Sequence, residues 1–358
     1  MRRIVILIVL IQIVNSVLAC TCFSFKDNKG NIVFGRNFDF PVGEGHIEIN
    51  KRNMRKTAFI NSSGKKIVWI SKFGSISFNQ IGREFPYGGM NEAGLVIEQM
   101  WLEETQYPVE DKRYALTALQ WIQYQLDNSS NIQDVISSDT LIRISNKSVA
   151  RIHFLIADAS GKVAVVEFIG GKMQIHQKDK LPFPALANCP YERSLKYKRT
   201  IEHHENIEFN NWTKNSSGRF MKAVSMLNKY DETKNIIDYS FSILDSVAQG
   251  EGTKWSIVYD ISKKRIFFKT RKNVLIQSLS FKDFDFSCNQ ANLFISISDT
   301  INNINSFHIS NYRANYLLQK SVVSKVKFLE NTITDEMIVE TAKYSETILC
   351  VCNQSVKN

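Results

Sequence analysis

Short apolar runs in this chain occur in pairs, and this pairing restricts its fold more than any other property of the sequence. The pairs are residues 23–25 with 32–34, 152–157 with 163–169, and 255–259 with 265–270. Turn-forming residues separate the first two pairs, as Asp27-Asn28-Lys29-Gly30 and Asp158-Ala159-Ser160-Gly161. Short runs rich in β-branched and aromatic residues on either side of such turns are typical of β-hairpins. We therefore predict antiparallel sheet in three parts of the chain.

Segments with apolar residues at helical spacing lie between and after these hairpins. In residues 114–126, for example, Leu119, Ile122 and Leu126 recur every three or four residues, as on one face of a helix. Further helices are predicted over residues 219–227, 236–247, 312–326 and 334–349. The order of strands, helix, strands, helices and strands fits an α+β domain in which helices cover both faces of stacked sheets.

Residues 1–19 have the pattern of a secretory signal peptide. Two arginines form a positive n-region, residues 4–14 are apolar apart from one glutamine, and the small Ala19 precedes Cys20. No later run reaches the roughly 18 consecutive apolar residues that a membrane-spanning helix needs. We therefore expect an exported protein, periplasmic or secreted, with no stable membrane insertion after cleavage before Cys20.

The same residues allow a second interpretation. A lipoprotein signal also ends in a small residue followed by cysteine, and that route would acylate the Cys20 thiol. Leu18 is untypical of such a signal and favours plain cleavage. An acylated Cys20 would lose its nucleophilicity, and the chain would then be an exported lipoprotein or binding protein without catalysis.

Composition and charge exclude some classes of protein. The 358 residues are 44% hydrophobic, which is enough for one large domain. The formal net charge is +10, but the lysines are scattered and no nucleic-acid-binding motif accompanies them. We therefore expect a solvated basic surface and no nucleic-acid partner.

The cysteines do not form a metal-binding pattern. They are Cys20, Cys22, Cys189, Cys288, Cys350 and Cys352. The two Cys-x-Cys pairs lack the internal spacing of a zinc knuckle, so we predict no metal ion and no cofactor. Outside the cytoplasm a disulfide among the last three is allowed, and the sequence does not decide which one forms.

Cleavage before Cys20 would place a thiol and a free α-amine on one residue. The thiol is a nucleophile, and an α-amine has an ordinary pKa of roughly 7.7–8.0, which suits a base near neutral pH. This is the chemistry of N-terminal-nucleophile hydrolysis. While residues 1–19 remain attached, Cys20 has an amide instead of an amine, so we expect the precursor to be inactive.

Five motifs occur in the order in which a known family has them. They are Cys20-Thr21-Cys22-Phe23, Gly35-Arg36-Asn37-Phe38-Asp39, Gly89-Met90-Asn91-Glu92-Ala93-Gly94-Leu95, Asn188-Cys189-Pro190 and Ser216-Ser217-Gly218-Arg219-Phe220. Over residues 20 to about 288 the chain resembles the choloylglycine hydrolase and penicillin V acylase family of cysteine N-terminal-nucleophile hydrolases. The resemblance implies a four-layer αββα sandwich with two mainly antiparallel sheets. It also implies a hydrolase domain at 20–298 and leaves 299–358 as a C-terminal helical extension of uncertain role.

The resemblance implies a role for three residues near the start of the mature chain. Cys20 would attack the amide carbonyl, Arg36 would lower the pKa of its thiol, and Asp39 would hold its α-amine. The family's arginine and aspartate lie 16 and 19 residues after the nucleophile, which selects Cys20 and not Cys22. Relatives more often carry a small or hydroxylated residue at position 22, and we expect Cys22 to be a buried thiol.

Three later residues complete the implied site. Asn91 and Asn188 would stabilise the oxyanion through a side-chain amide and a backbone N–H. Arg219 would support the site by hydrogen bonding.

The resemblance implies an amide substrate but does not identify it. The family acts on conjugated bile salts, penicillin V, N-acyl homoserine lactones and fatty-acid amides. We expect a small-molecule N-acyl amide partner, favour penicillin V or acyl amines over bile salts, and note that the family resemblance allows a homo-oligomer. Candidate residues for an apolar pocket are Phe38, Phe40, Phe85, Met100 and Trp101.

A thiol peptidase with a conventional Cys–His pair is a third class. His153 is the histidine close to a family-like strand, and strand alternation also explains its presence. Because an α-amine base needs no histidine, replacing His153 separates the two mechanisms.

Overall fold

The computed structural model describes residues 20–60 and 65–351, and the predicted signal peptide and Cys352 lie outside them. The strands in this part of the chain are β1 Thr21–Lys26, β2 Ile32–Asp39, β3 His46–Asn50, β4 Met54–Thr57, β5 Val68–Ile70, β6 Ser75–Asn79, β7 Gly88–Asn91, β8 Val96–Trp101, β9 Tyr114–Leu116, β10 Ile142–Ile144, β11 Ile152–Ala157, β12 Val163–Ile169, β13 Lys172–Gln177, β14 Ala185–Leu186, β15 Thr253–Asp260, β16 Arg265–Thr270, β17 Gln277–Ser280, β18 Leu293–Ser296, β19 His308–Ile309 and β20 Leu349–Cys350. The α-helices are α1 Ala118–Asn128, α2 Ile132–Ser138, α3 Tyr191–Glu202, α4 Asn211–Leu227, α5 Ile236–Ser246, α6 Tyr312–Lys325, α7 Lys327–Glu330 and α8 Asp335–Tyr344. None of these helices is long and apolar enough to cross a bilayer.

Two large antiparallel sheets form the centre of the molecule. One has six strands in the order β14-β1-β2-β15-β16-β17, and the other has nine in the order β13-β12-β11-β8-β7-β6-β3-β18-β19. All three predicted hairpins are present, as β1–β2, β11–β12 and β15–β16. In the first, Gly30 makes the turn with a φ of 87°, a conformation that glycine adopts without strain.

Successive side chains along a strand point to opposite faces of the sheet and so face different layers of the molecule. On β11, Leu155 belongs to the core between the two sheets, whereas Phe154 packs with Trp121 of α1 on the other face. On β2, the Arg36 side chain reaches Glu98 of the nine-stranded sheet, and the Asn37 amide donates to the Leu244 carbonyl of α5 at 2.7 Å. Helices therefore cover the outer face of each sheet, and the predicted four-layer αββα sandwich is confirmed.

Three predicted helices have different bounds in the structure. Residues 114–116 form a strand that pairs in parallel with β10, and α1 begins after Thr117, whose hydroxyl accepts a hydrogen bond from Gln120 N–H at 3.2 Å. The prediction of a helix from residue 114 was therefore wrong, because the same periodicity suits a short buried strand. Helix α4 begins eight residues earlier than predicted, at Asn211, and the last helix ends at Tyr344 rather than at 349.

The C-terminal segment packs against the sheets. Leu318 and Val322 of α6 join the main core, and the Tyr344 hydroxyl donates to the Thr57 carbonyl at 2.6 Å. A disulfide joins Cys288 to Cys350, which are 62 residues apart. The assignment of residues 299–358 as a separate extension stays a prediction.

Candidate active site

The first β-hairpin brings Cys20 to Asp39. Antiparallel pairing sets Thr21 opposite Asn37, so Cys20 lies beside the end of β2. The Asp39 backbone N–H points to the Cys20 sulfur at 3.5 Å, and the thiol lies 3.9 Å from the Asp39 carbonyl oxygen. Cys20 is 5% exposed, so the predicted nucleophile lies in a low-dielectric environment.

Arg36 is buried between the two sheets and is held by the neighbouring sheet. Its Nη1 lies 2.6 Å from Glu98 Oε2, and its Nη2 donates to the Gln99 carbonyl at 3.2 Å. Burial opposes the charge of Arg36, but Glu98 and the two nearby thiols outweigh it and raise its pKa. Because burial raises the pKa of the Cys20 thiol and Arg36 lowers it, the guanidinium is the strongest charge favouring the thiolate.

Glu98 is a site residue that the sequence analysis missed. The Tyr259 hydroxyl donates to it, and a Cβ on Gly88 would collide with its carboxylate, so glycine at that position makes room for it. Burial raises the pKa of Glu98 to about 7, against the opposing effect of Arg36. Its one sequence signal was a carboxylate inside the otherwise uncharged strand Val96–Trp101.

The two oxygens of the Asp39 carboxyl group differ in their hydrogen bonds. The Thr253 hydroxyl donates to Oδ1. No described residue donates a hydrogen bond to Oδ2, although it is buried. Burial raises the pKa of Asp39 to about 6, against the hydrogen bond from Thr253 and the charges of Arg219 and Arg36. Asp39 therefore presents a free acceptor next to Cys20 and is mostly ionised at neutral pH.

Two more predicted site residues lie at Cys20: Arg219 belongs to helix α4, and Asn188 belongs to the loop before helix α3. Arg219 Nη1 donates to the Cys20 carbonyl and to the Thr21 hydroxyl, and its Nη2 donates to Asn188 Oδ1 at 3.3 Å. The Asn188 amide also donates to the Trp101 carbonyl at 2.9 Å. These contacts connect Cys20, Arg219 and Asn188 to the end of β8.

Asn91 has its donors engaged elsewhere. Its side-chain amide donates to the carbonyls of Leu126 and Ser129 at 2.9 and 2.8 Å, and its backbone N–H donates to the Leu95 carbonyl at 3.0 Å. These bonds join its hairpin turn to the end of α1. Its predicted part in the oxyanion site does not fit these contacts, because neither predicted donor is left for a substrate.

The apolar residues predicted to line a pocket are only partly brought together. Phe38 stacks on Phe40 with ring centroids 5.5 Å apart, and Tyr87 lies at the same distance from Phe38. Burial raises the pKa of Tyr87, and Arg36 and Cys20 are close enough for their charges to affect it.

The other three residues that were predicted to line the pocket lie in three different environments. Met100 is fully buried in the main core, and Trp101 at the end of β8 is partly exposed. Phe85 packs instead in a separate cluster with Phe59 and Tyr344.

Cys22 is a buried free thiol, as predicted. It faces Arg36 across the β1–β2 pair. Burial raises the pKa of its thiol well above the ordinary value, and the charge of Glu98 adds to this.

A further buried carboxylate, that of Glu167, anchors the loop that carries Asn188. Glu167 Oε1 accepts a hydrogen bond from the Tyr191 N–H at 3.0 Å, at the start of α3. His153 Nδ1 lies 2.9 Å from the same oxygen, and His176 Nε2 lies 3.3 Å from Oε2. Burial raises the pKa of Glu167, but these two histidines outweigh it and lower the value to about 2. The side chain of His153 is therefore paired with the Glu167 carboxylate.

Two surface cavities lie away from this site. The larger, about 1120 Å³, is lined by residues such as Arg52, Lys264 and Asp283, and the smaller, about 590 Å³, includes His176 and Glu192. None of the six predicted site residues lines either cavity. Among the described residues, no group of three or more His, Cys, Asp or Glu is arranged to hold a metal ion.

Comparison with known proteins identifies the family. The profile of linear amide C–N hydrolases, choloylglycine hydrolase family, matches residues 20–199, which is half of the chain. The chain belongs to this family. It is 23% identical over 315 residues to a penicillin V acylase of Pectobacterium atrosepticum, covering 75% of this chain and 83% of that protein.

Solved structures of two other hydrolases share the fold of this chain. Penicillin V acylase from Agrobacterium tumefaciens is similar with a TM-score of 0.67 and 24% identity, over 82% of this chain and 98% of that one. A mutant of the conjugated bile acid hydrolase from Clostridium perfringens is similar with a TM-score of 0.63 and 18% identity. The match covers 80% of this chain and 100% of that one. The family match, and not the shared fold, shows that the protein is an amidohydrolase that acts on linear amide C–N bonds.

Proposed function

We propose that this amidohydrolase uses Cys20 as an N-terminal nucleophile and forms an acyl-enzyme from an N-acyl amide. The observation that carries the proposal is the direct contact of Cys20 with both Asp39 and Arg219, with Asn188 bonded to Arg219. The role of Cys20 requires that export processing removes residues 1–19 and leaves its α-amine free.

The first half of the reaction transfers the acyl group to sulfur. The α-amine takes the thiol proton, and the thiolate forms a bond to the amide carbonyl carbon. Oδ2 of Asp39, to which no described residue donates, would accept a hydrogen bond from the α-ammonium and hold it beside the sulfur. The C–N bond then breaks as the ammonium gives its proton to the leaving amine.

The second half returns the enzyme to its starting state. Water gives a proton to the α-amine and attacks the thioester carbonyl; the C–S bond then breaks as the ammonium returns that proton to the sulfur, and the carboxylic acid is released. In both halves the Asn188 amide donates to the carbonyl oxygen with the hydrogen that does not bond Trp101. One such donor stabilises a transition state by about 3 kcal/mol.

The surroundings of Cys20 favour an apolar or aromatic acyl group. Phe38, Phe40 and Tyr87 form an aromatic cluster near the sulfur. Aromatic rings of this kind pack well against a phenoxyacetyl or fatty acyl group. Together with the penicillin V acylase relatives, this supports penicillin V or acyl amines as substrates ahead of conjugated bile salts.

Two cysteine variants and a substrate panel test the proposal. We expect Cys20→Ala to lower kcat/KM for the best substrate by at least about a thousandfold, because the nucleophile is lost. Cys22→Ser is the matched control, since it changes a neighbouring buried thiol but keeps a small polar side chain. The panel compares penicillin V, an N-acyl homoserine lactone, a fatty-acid amide and a glycine-conjugated bile salt.

Two results would contradict the proposal. Activity that survives in Cys20→Ala would remove Cys20 from the mechanism. Much faster hydrolysis of the bile salt than of the other amides would overturn the substrate preference and leave the nucleophile in place.

A further inference from the structure

Three consecutive apolar side chains project from the loop between β16 and β17. Val274 is 72% exposed, Leu275 75% and Ile276 46%. Asn273 fixes the base of the loop, because its N–H donates to the Thr270 hydroxyl at 2.9 Å and its side-chain oxygen accepts from Leu275 N–H at 3.3 Å. A contiguous exposed apolar patch marks an interaction site more often than scattered exposed residues do. We call residues 274–276 the apolar tip.

The apolar tip lies at the same end of the six-stranded sheet as Cys20. Asp39 at the end of β2 pairs with Thr253 at the start of β15. The next strand ends beside them, because Arg271 N–H donates to the Lys254 carbonyl at 3.0 Å. Strand β1, which follows Cys20, lies three strand positions from β16, or roughly 14 Å.

Cationic side chains surround the base of the loop. Arg271 pairs with Glu251, and Lys325 lies 2.6 Å from Glu44. Against the effect of burial, the charge of Lys272 also lowers the pKa of the Glu44 carboxyl group. Burial raises the pKa of Asp39, and the nearby charge of Lys254 opposes this rise. These four cations outnumber the three surface carboxylates nearby, Glu251, Glu44 and Asp299, the last of which is held beside Gln277, so the rim of the apolar tip keeps a net positive charge.

We propose that the apolar tip and this cationic rim dock the protein on the surface of an anionic phospholipid bilayer. Apolar side chains flanked by Lys and Arg are the usual means by which a protein lies on a membrane, since the former enter the headgroup layer and the latter attract lipid phosphates. The three tip residues are 46% to 75% exposed, so the patch projects from the surface. Docking would bring the Cys20 end of the sheet to the interface, where amides with apolar acyl chains collect.

Vesicle binding tests this inference without any need for catalysis. Wild type and a Val274→Ser, Leu275→Ser, Ile276→Ser triple variant are mixed with phosphatidylcholine vesicles that contain about 30% phosphatidylglycerol, and the bound fraction is measured by flotation. Intact masses are compared first, to establish that both proteins have the same N-terminus. Any lipid on Cys20 then contributes equally to the binding of both. We expect the triple variant to lose at least about tenfold in apparent affinity, with hydrolysis of a soluble amide unchanged.

Two controls identify the forces involved. A Val109→Ser, Val149→Ser variant removes side chains that are 74% and 67% exposed elsewhere on the surface, and it should bind as wild type does. Lys272→Glu should weaken binding to the anionic vesicles but not the weak binding to pure phosphatidylcholine.

Three results would overturn docking on lipid. They are failure of wild type to bind the anionic vesicles, equal binding by wild type and the triple variant, and a changed oligomeric mass in the triple variant. The last result would show that the apolar tip packs against a second copy of the chain. None of them bears on Cys20, because the soluble amide reports catalysis separately.

Discussion

At the residue scale, burial and charge act in opposite directions on the Cys20 thiol. Burial raises its pKa, and the buried guanidinium of Arg36 lowers it. Glu98 lies 2.6 Å from the same guanidinium and offsets part of its positive potential. We therefore expect the protonation of Glu98, whose pKa burial raises to about 7, to affect the Cys20 thiol through Arg36. Glu98 is thus a positioning residue for Arg36.

Replacing Glu98 with glutamine tests this coupling. The variant keeps the shape of the side chain over Gly88 but removes its charge, so Arg36 acts more strongly on the thiol. We expect the pH at which iodoacetamide half-modifies Cys20 to fall by about one pH unit, measured by mass spectrometry of the modified peptide.

Glu167→Gln is the matched control for that experiment. It also converts a buried carboxylate to an amide, but Glu167 makes its contacts with histidines and α3 and not with Arg36. Its thiol titration should match wild type. If Glu98→Gln also titrates as wild type does, Glu98 is not coupled to Cys20 through Arg36.

At the scale of elements, the site depends on how the start of α3 is anchored to the nine-stranded sheet. Asn188 stands three residues before Tyr191, the first residue of the helix. The Tyr191 N–H is fixed by Glu167 on β12, so a carboxylate from the sheet satisfies the end of the helix and holds the loop.

The charge of Glu167 should also affect how the free energy of unfolding changes at acidic pH. Its pKa is lowered to about 2, so its ionised form stabilises the folded state above the ordinary value near 4.5. This contribution, about 3 kcal/mol at neutral pH, disappears as the pH falls through the folded-state value. We expect the free energy of unfolding of wild type to fall between pH 5 and pH 3 by about 2 kcal/mol more than that of Glu167→Gln. Urea titrations at both pH values measure this, and equal losses would contradict it.

At the scale of the whole molecule, locally encoded features were predictable from the sequence. The three hairpins rest on adjacent runs and their turns, and the positions of Cys20, Arg36, Asp39, Asn188 and Arg219 follow from ordered motifs. Antiparallel pairing then places Cys20 beside Asp39 without any long-range information.

Features that depend on distant partners were not predictable in this way. The strand at 114–116 forms because residues 142–144 pair with it in parallel, and its own periodicity resembles a helix. Asn91 matches a motif, yet its contacts with the end of α1 give it a structural task. Glu98 and Glu167 are single carboxylates within buried strands, and their partners lie on other strands and helices.

The most direct test of catalysis by Cys20 is the mass of the N-terminal peptide from protein quenched during turnover of its best amide substrate. The N-terminal-nucleophile mechanism predicts a peptide that begins at Cys20, carries the acyl group of the substrate on sulfur and loses it when the substrate is exhausted. An active protein whose chain begins at another residue, or whose Cys20 carries a diacylglyceryl group, would contradict it.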